Sequence, residues 1–143
     1  MKILHILNHS FPLLDGYASR SQNIFKVQET MGWTPVILTS PKHEEDLKDV
    51  CPPTEIIDGF TYYRTGSNPV RKIPVLSECF LMVMLLIKMF AVIRQEKPDI
   101  LHVHSPVLNY LPVWLTGKLL NKPVLYELRA FWEDAGVDQA TYK

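Results

Sequence analysis

The sequence predicts an α/β fold, a Rossmann-like parallel sheet flanked by helices, and three observations predict it. Compact apolar runs at residues 2–7, 34–39, 100–103 and 123–128 suit strands buried on both faces. Helical segments separate most of these runs, which is the alternation of a parallel sheet. Several runs end in polar groups, as in Asn8-His9-Ser10, His104-Ser105 and Glu127-Leu128-Arg129. In open α/β sheets ligands bind outside the carboxyl ends of the strands, so any site is expected there.

The chain has 143 residues, enough for one domain with a real core, and residues 1–143 are taken as that domain. Hydrophobic residues make up 47% and charged residues 21%, which excludes a disordered chain. Fifteen basic and fifteen acidic residues balance, and no basic stripe appears, so no nucleic-acid partner is expected. Cys51 and Cys79 belong to no metal-spacing pattern, and two such thiols suit a reducing compartment. Met1-Lys2-Ile3-Leu4 enters a strand without a signal-peptide layout, so a cytoplasmic location is expected.

The first strand, residues 2–7, is broken only by His5, which reads as a hydrogen-bonded core histidine. A loop through Asp15-Gly16-Tyr17 leads to a helix, with Ser19-x-x-Gln22 as a capping box. Ile24, Val27 and Met31 supply its apolar face, and Gly32 its left-handed stop. Residues 34–39 form the second strand, with Pro35 at its start or on an edge. Residues 41–53 read as an irregular charged surface loop with room for one helical turn. Asp58-Gly59 between two β-rich runs predicts a hairpin, because a type I′ turn needs positive φ at both central residues. Residues 65–74 read as an exposed loop.

Ser77 is the expected cap of a long helix that ends near 94–97, with Pro98 as its stop. Nine apolar residues, 79–87, precede Lys88, and that lysine argues against a transmembrane span. A helix apolar on all sides is expected to be covered on all sides. The alternative is a face for a membrane surface or for a further part of the protein. Asn109 caps the next helix, Pro112 sits in its first turn, and Asn121 closes it. After residues 123–128 no closing helix or strand is evident, so the sheet reads as unfinished.

Four loops, 8–17, 40–43, 104–109 and 129–134, lie at carboxyl ends of strands and should rim one crevice. The Gly16 loop precedes a helix N-terminus suited to a phosphate or carboxylate, but it lacks Gly-x-Gly-x-x-Gly. His102-x-His104 invites a metal reading, yet no third ligand has a recognisable spacing, so no metal site is expected. His104 is read as a polar contact in the crevice and His102 as packed against the sheet. Glu127 and Arg129 share a face, where Arg129 either forks a carboxylate or phosphate or pairs with Glu133 or Asp134.

Met1 to Ser10, the Gly16 loop, Gly32-Trp33-Thr34-Pro35-Val36, Ile57-Asp58-Gly59, residues 98–105 and Lys122-Pro123-Val124-Leu125-Tyr126-Glu127 resemble, in that order, the N-terminal half of glycosyltransferase family 4 enzymes. Residues 104–109 and 126–134 are similar to the exosortase-associated members of exopolysaccharide clusters. The resemblance implies the N-terminal, acceptor-side half of a GT-B fold, truncated here, with the nucleotide-sugar-binding C-terminal domain absent. It implies a retaining glycosyltransferase that takes a nucleotide-sugar donor and a glycan or lipid-linked acceptor. No cofactor and no obligatory metal are implied, and peripheral contact at the inner face of the membrane is compatible with it.

Gly16 and Tyr17 would lie by the donor phosphates. His104, Ser105, Glu127 and Arg129 would line the acceptor side, and His104, Glu127 and Arg129 are the catalytic candidates. The sequence departs from the family in having only Gly16 where paired glycines are usual, and Arg129 where many relatives carry a histidine. The fragment alone is expected to be inactive. Two alternatives stand beside this reading: a GT-B sugar-nucleotide epimerase, and a non-catalytic Rossmann-like interaction module.

Overall fold

A computed structural model describes residues 1–67 and 74–129. In chain order the elements are β1 (Lys2–Leu7), α1 (Gly16–Thr30), β2 (Thr34–Thr39), α2 (Lys42–Leu47), β3 (Thr54–Ile57) and β4 (Phe60–Arg64). They continue with α3 (Pro74–Glu96), β5 (Ile100–His104), a 3-10 turn (Val107–Asn109), α4 (Tyr110–Leu120) and β6 (Val124–Glu127). The six strands form one sheet in the order β3-β4-β2-β1-β5-β6. Every neighbouring pair is parallel except the β3–β4 hairpin. The expected fold class is the observed one, and the carboxyl ends of five parallel strands share one edge.

The hairpin turns at Asp58 and Gly59, whose φ values of 52° and 86° are the two positive ones its turn requires. Pro35 sits near the start of β2, beside Ile3 of β1. Gly32, at φ 74°, closes α1, and Asn121, at φ 51°, closes α4.

Four local expectations are corrected. Helix α1 starts at Gly16, because the Asp15 side chain accepts a hydrogen bond from the Ala18 N–H at 2.7 Å and caps it ahead of Ser19. Its buried face is Ala18, Ser21, Gln22, Phe25 and Gln28, while Val27 and Met31 point to solvent. The sheet beneath presents polar groups that need partners: Tyr62 Oη donates to Gln22 Oε1 at 2.6 Å, and Gln28 Oε1 lies 2.8 Å from His5 Nε2. Helix α3 begins at Pro74, where the missing N–H costs nothing, so Ser77 lies inside it. Asn109 makes no side-chain cap; a 3-10 turn leads into α4 instead.

The stretch after Pro41 holds the short helix α2, with His43 and Glu44 buried. Of the expected loop at 65–74, residues 68–73 lie outside the described residues.

The main core packs Leu4, Ile6, Val36, Leu38, Leu101 and Val103 of the sheet against Leu85, Met89, Val92 and Ile93 of α3 and Val113 of α4. A second cluster, Leu7, Phe25, Ile37, Phe60 and Tyr62, lies under α1. Helix α3 is not covered on all sides, contrary to expectation. One side meets the sheet, and Val75, Leu76, Val83 and Ile87 are at least half exposed. By length and composition α3 could cross a membrane, but it lies on a sheet instead.

Candidate functional site

The carboxyl ends of the parallel strands surround a crevice of about 440 Å³. Asn8, His9 and Tyr17 reach it from the β1–α1 loop and the start of α1, Ser40 and Lys42 from beyond β2, and Ser105 and Asn109 from beyond β5. Arg129 reaches it from beyond β6, and Leu81, Met82 and Leu85 of α3 make an apolar wall. The expected shared rim is present for the described residues; 130–134, with Glu133 and Asp134, lie outside them.

Tyr17 ties the rim together. Its hydroxyl donates to the Ser105 carbonyl at 3.0 Å and accepts from the Asn8 N–H at 3.3 Å. Burial pushes its phenol up to about 12, so it stays a neutral donor. Gly16 opens α1 with empty space around it and no positive φ, so no tight turn requires it there.

Arg129 is not a free fork. Its Nη1 donates to the Tyr17 carbonyl at 3.0 Å and to Ser21 Oγ at 2.8 Å, and its guanidinium lies 4.3 Å from the Tyr17 ring centroid. Its Nη2 stands 2.6 Å from His104 Nδ1, and Glu127 Oε1 is 3.4 Å from its Nε. Both terminal nitrogens are engaged by neighbours, while the Nε–H makes no hydrogen bond among the described residues.

His104 does not face the crevice, contrary to expectation. Strand alternation turns it to the α1 side of β5, where it is fully buried. Its Nε2 is 3.0 Å from His5 Nδ1, and its Nδ1 is 2.8 Å from Glu127 Oε2. His102 stacks on it with centroids 4.1 Å apart. Burial lowers the basicity of all three histidines: His5 falls well below the usual range, His102 to about 4, and His104 falls despite its contact with Glu127. His104 and then Arg129 hold the Glu127 carboxyl at about 2, against the opposing effect of burial. Glu127 also pairs with Arg20 at 2.9 Å.

Two further residues build the rim without having been singled out from the sequence. His9 Nε2 is 2.6 Å from Asp15 Oδ2 and its Nδ1 is 3.4 Å from Asp46 Oδ2, which puts an imidazole between two carboxylates at the crevice mouth. Burial opposes ionisation of Asp15, but the Ala18 N–H and His9 pull its carboxyl below the usual range. Its place just ahead of a helix, six residues after His9, was the available signal. Arg64, almost fully buried, donates to Ser10 Oγ at 2.7 Å, to the Phe11 carbonyl at 2.6 Å and to Glu55 Oε1 at 2.6 Å. It anchors the first loop to the end of β4. A lone arginine after Phe60-Thr61-Tyr62-Tyr63 carries no such signal.

No protein-family model matches the chain, and no curated protein matches it. Solved structures do. The chain is similar to MurG of Acinetobacter baumannii, with a TM-score of 0.61 and 18% identity over 96% of this chain and 38% of that one. It is similar to the calicheamicin glycosyltransferase CalG4, with a TM-score of 0.61 and 11% identity over 98% of this chain and 37% of that one. It is also similar to the Methanocaldococcus jannaschii UDP-GlcNAc 2-epimerase solved with UDP-GlcNAc and UDP, with a TM-score of 0.54 and 20% identity over 88% of this chain and 32% of that one. The chain therefore spans about a third of the length of the structures it matches, and its fold is that of a Rossmann-like part of a GT-B fold.

Proposed function

We propose that the chain is the N-terminal, acceptor-side domain of a retaining glycosyltransferase that moves a sugar from a nucleotide-sugar donor to a glycan or lipid-linked acceptor in exopolysaccharide synthesis. The observation that carries the reading is the crevice at the carboxyl edge of a sheet with a GT-B fold. A second domain closing over that edge would bring the donor against the Gly16 loop. Tyr17, Ser105 and Arg129 then contact substrate, while His104 and Glu127 stand behind Arg129 as positioning residues. No cofactor or donor-bound metal is required. The protein acts in the cytoplasm at the inner face of the membrane, and the exposed apolar side chains Val83 and Ile87 of α3 and Leu111, Trp114 and Leu119 of α4 support a peripheral contact.

A second reading, a sugar-nucleotide epimerase, is favoured by the likeness to the archaeal 2-epimerase. One assay separates the two. The full natural protein that carries these residues is incubated with radiolabelled UDP- and GDP-sugars, with and without membrane lipid extract. Label entering lipid or glycan, with the donor's anomeric configuration kept, supports transfer. Label moved without acceptor to an epimeric sugar, free by hydrolysis or still on the nucleotide, supports the epimerase, and a donor pool of unchanged sugar defeats both. Arg129→Ala is expected to lower kcat at least 10-fold, because it removes a substrate contact and loosens the rim.

A further inference from the structure

We infer that His5, His102 and His104 form a binding site for one zinc-class divalent cation, with Gln28 and Glu127 orienting the ligands. Spacing along the chain supplies two histidines only; the parallel register supplies the third by setting His5 of β1 beside His102 of β5. One ring nitrogen from each lies within 4.8 Å of the others. A tetrahedral ion with bonds of about 2.0–2.1 Å needs such nitrogens about 3.3 Å apart, so the rings must draw together around the ion, and a water or a Glu127 oxygen fills the fourth position.

The hydrogen-bonding pattern points the same way. His5 Nε2 lies 2.8 Å from Gln28 Oε1, and His104 Nδ1 lies 2.8 Å from Glu127 Oε2. Both outer partners are acceptors, so both rings carry their proton on the outer nitrogen. The inner nitrogens, His5 Nδ1 and His104 Nε2, then present lone pairs to each other across 3.0 Å. Ligating histidines are held in this way, with the outer N–H on a carboxylate or carbonyl. His102 Nε2 is buried and makes no hydrogen bond among the described residues, with Glu127 Oε2 at 3.4 Å as a charged neighbour.

Arg129 Nη2, 2.6 Å from His104 Nδ1, competes for that nitrogen. Its donation would move the His104 proton to Nε2, which would then donate to His5 Nδ1, and would leave a Glu127 oxygen facing a bare lone pair at 2.8 Å. Ion binding calls for the other tautomer, with the proton on Nδ1 toward Glu127. Three imidazoles select zinc, copper or nickel over calcium and magnesium. At this depth the ion staples β1 to β5 beneath the rim and does not meet substrate.

The test strips the chain with a chelator and returns Zn²⁺ at neutral pH, with bound metal measured by atomic emission. One zinc per chain is expected, with a rise in Tm of about 5 to 10 °C at a hundredfold excess over the dissociation constant. His102→Asn should abolish binding, Glu127→Gln should weaken it about 10- to 100-fold, and His9→Asn should leave it intact. Co²⁺ in the unmutated chain should give the intense visible bands of a tetrahedral site, a readout that survives if His102→Asn fails to fold. No stoichiometric zinc, weak octahedral cobalt bands, binding that survives His102→Asn, or binding lost in His9→Asn would each overturn the assignment.

Discussion

The two faces of the one sheet are built from the same strands and have opposite chemistry. Toward α3 and α4, alternate residues are Leu4, Ile6, Val36, Leu38, Leu101 and Val103, and Tyr63 adds a hydroxyl that meets Glu96 and Gln95 of α3. Toward α1 the same strands present His5, His102, His104 and Glu127 beside Leu7, Ile37 and Tyr62. The α1 face answers with Ser21, Gln22 and Gln28, so each side of that interface must be satisfied by specific partners. One face holds the fold by volume, the other by a hydrogen-bonded network that runs into the crevice rim. The lesson is that a sheet can give stability to one side and leave the other to position charge.

That division predicts how each side breaks, and the apolar side should break hardest. Leu85, at 1% exposed, fills the space between α3 and the sheet. Leu85→Ala removes three buried carbons and leaves a cavity, at an expected cost of about 2–5 kcal/mol in denaturant unfolding. The loss should be the same at pH 7 and at pH 5, because nothing in that cluster titrates in between. A cost below about 1 kcal/mol would mean that α3 packs loosely and that the face is not the stabilising one.

The polar side should instead respond to acid, and His43 beneath the rim isolates the effect. Burial first, then the Arg64 charge, lower its imidazole from 6.5 to about 3. Its Nδ1 accepts from the Ser10 N–H at 3.4 Å, which fits the neutral ring. Below pH 6.5 the unfolded chain takes up a proton that the native chain refuses, so stability is fully present above 6.5 and drains away toward pH 3. At about 1.4 kcal/mol per pH unit, the drop from pH 6.5 to 4.5 is about 2 to 3 kcal/mol for this group. His43→Asn keeps an acceptor for Ser10 and cannot titrate. Denaturant curves with chelator present should show the native chain losing that much more than the variant, and parallel curves would show that His43 is protonated in the fold.

The same contrast explains what was legible beforehand. The strands, the hairpin at Asp58-Gly59 and the order of loops around one edge follow from apolar runs and turn chemistry, which are local. The inward face of α1 does not follow apolarity, because beside Ala18 and Phe25 it buries Ser21, Gln22 and Gln28, matched to Arg129, Tyr62 and His5 at 108, 40 and 23 residues away in sequence. The His5–His102–His104 group is a product of strand register, which no spacing along the chain encodes. Arg129 lines the crevice, and its contacts with Tyr17, Ser21 and His104 depend on elements distant in sequence meeting there.

The smallest effect on stability is expected on the outer surface of the apolar layer, where α3 carries Val83 and Ile87 one turn apart at 50% and 66% exposed. Their sheet-facing counterparts Leu81, Leu85 and Met89 are buried, so an outward charge meets water and disturbs no packing. Val83→Glu with Ile87→Glu should therefore move unfolding by no more than about 0.5 kcal/mol per site. If this surface rests on lipid, the same pair should abolish sedimentation with anionic vesicles, since it inserts two negative charges into an apolar contact. Stability lost together with vesicle binding would show that the outer side of α3 is part of the core after all. Stability kept and vesicle binding lost would make the apolar layer two-sided, with its inner side serving the fold and its outer side serving the membrane.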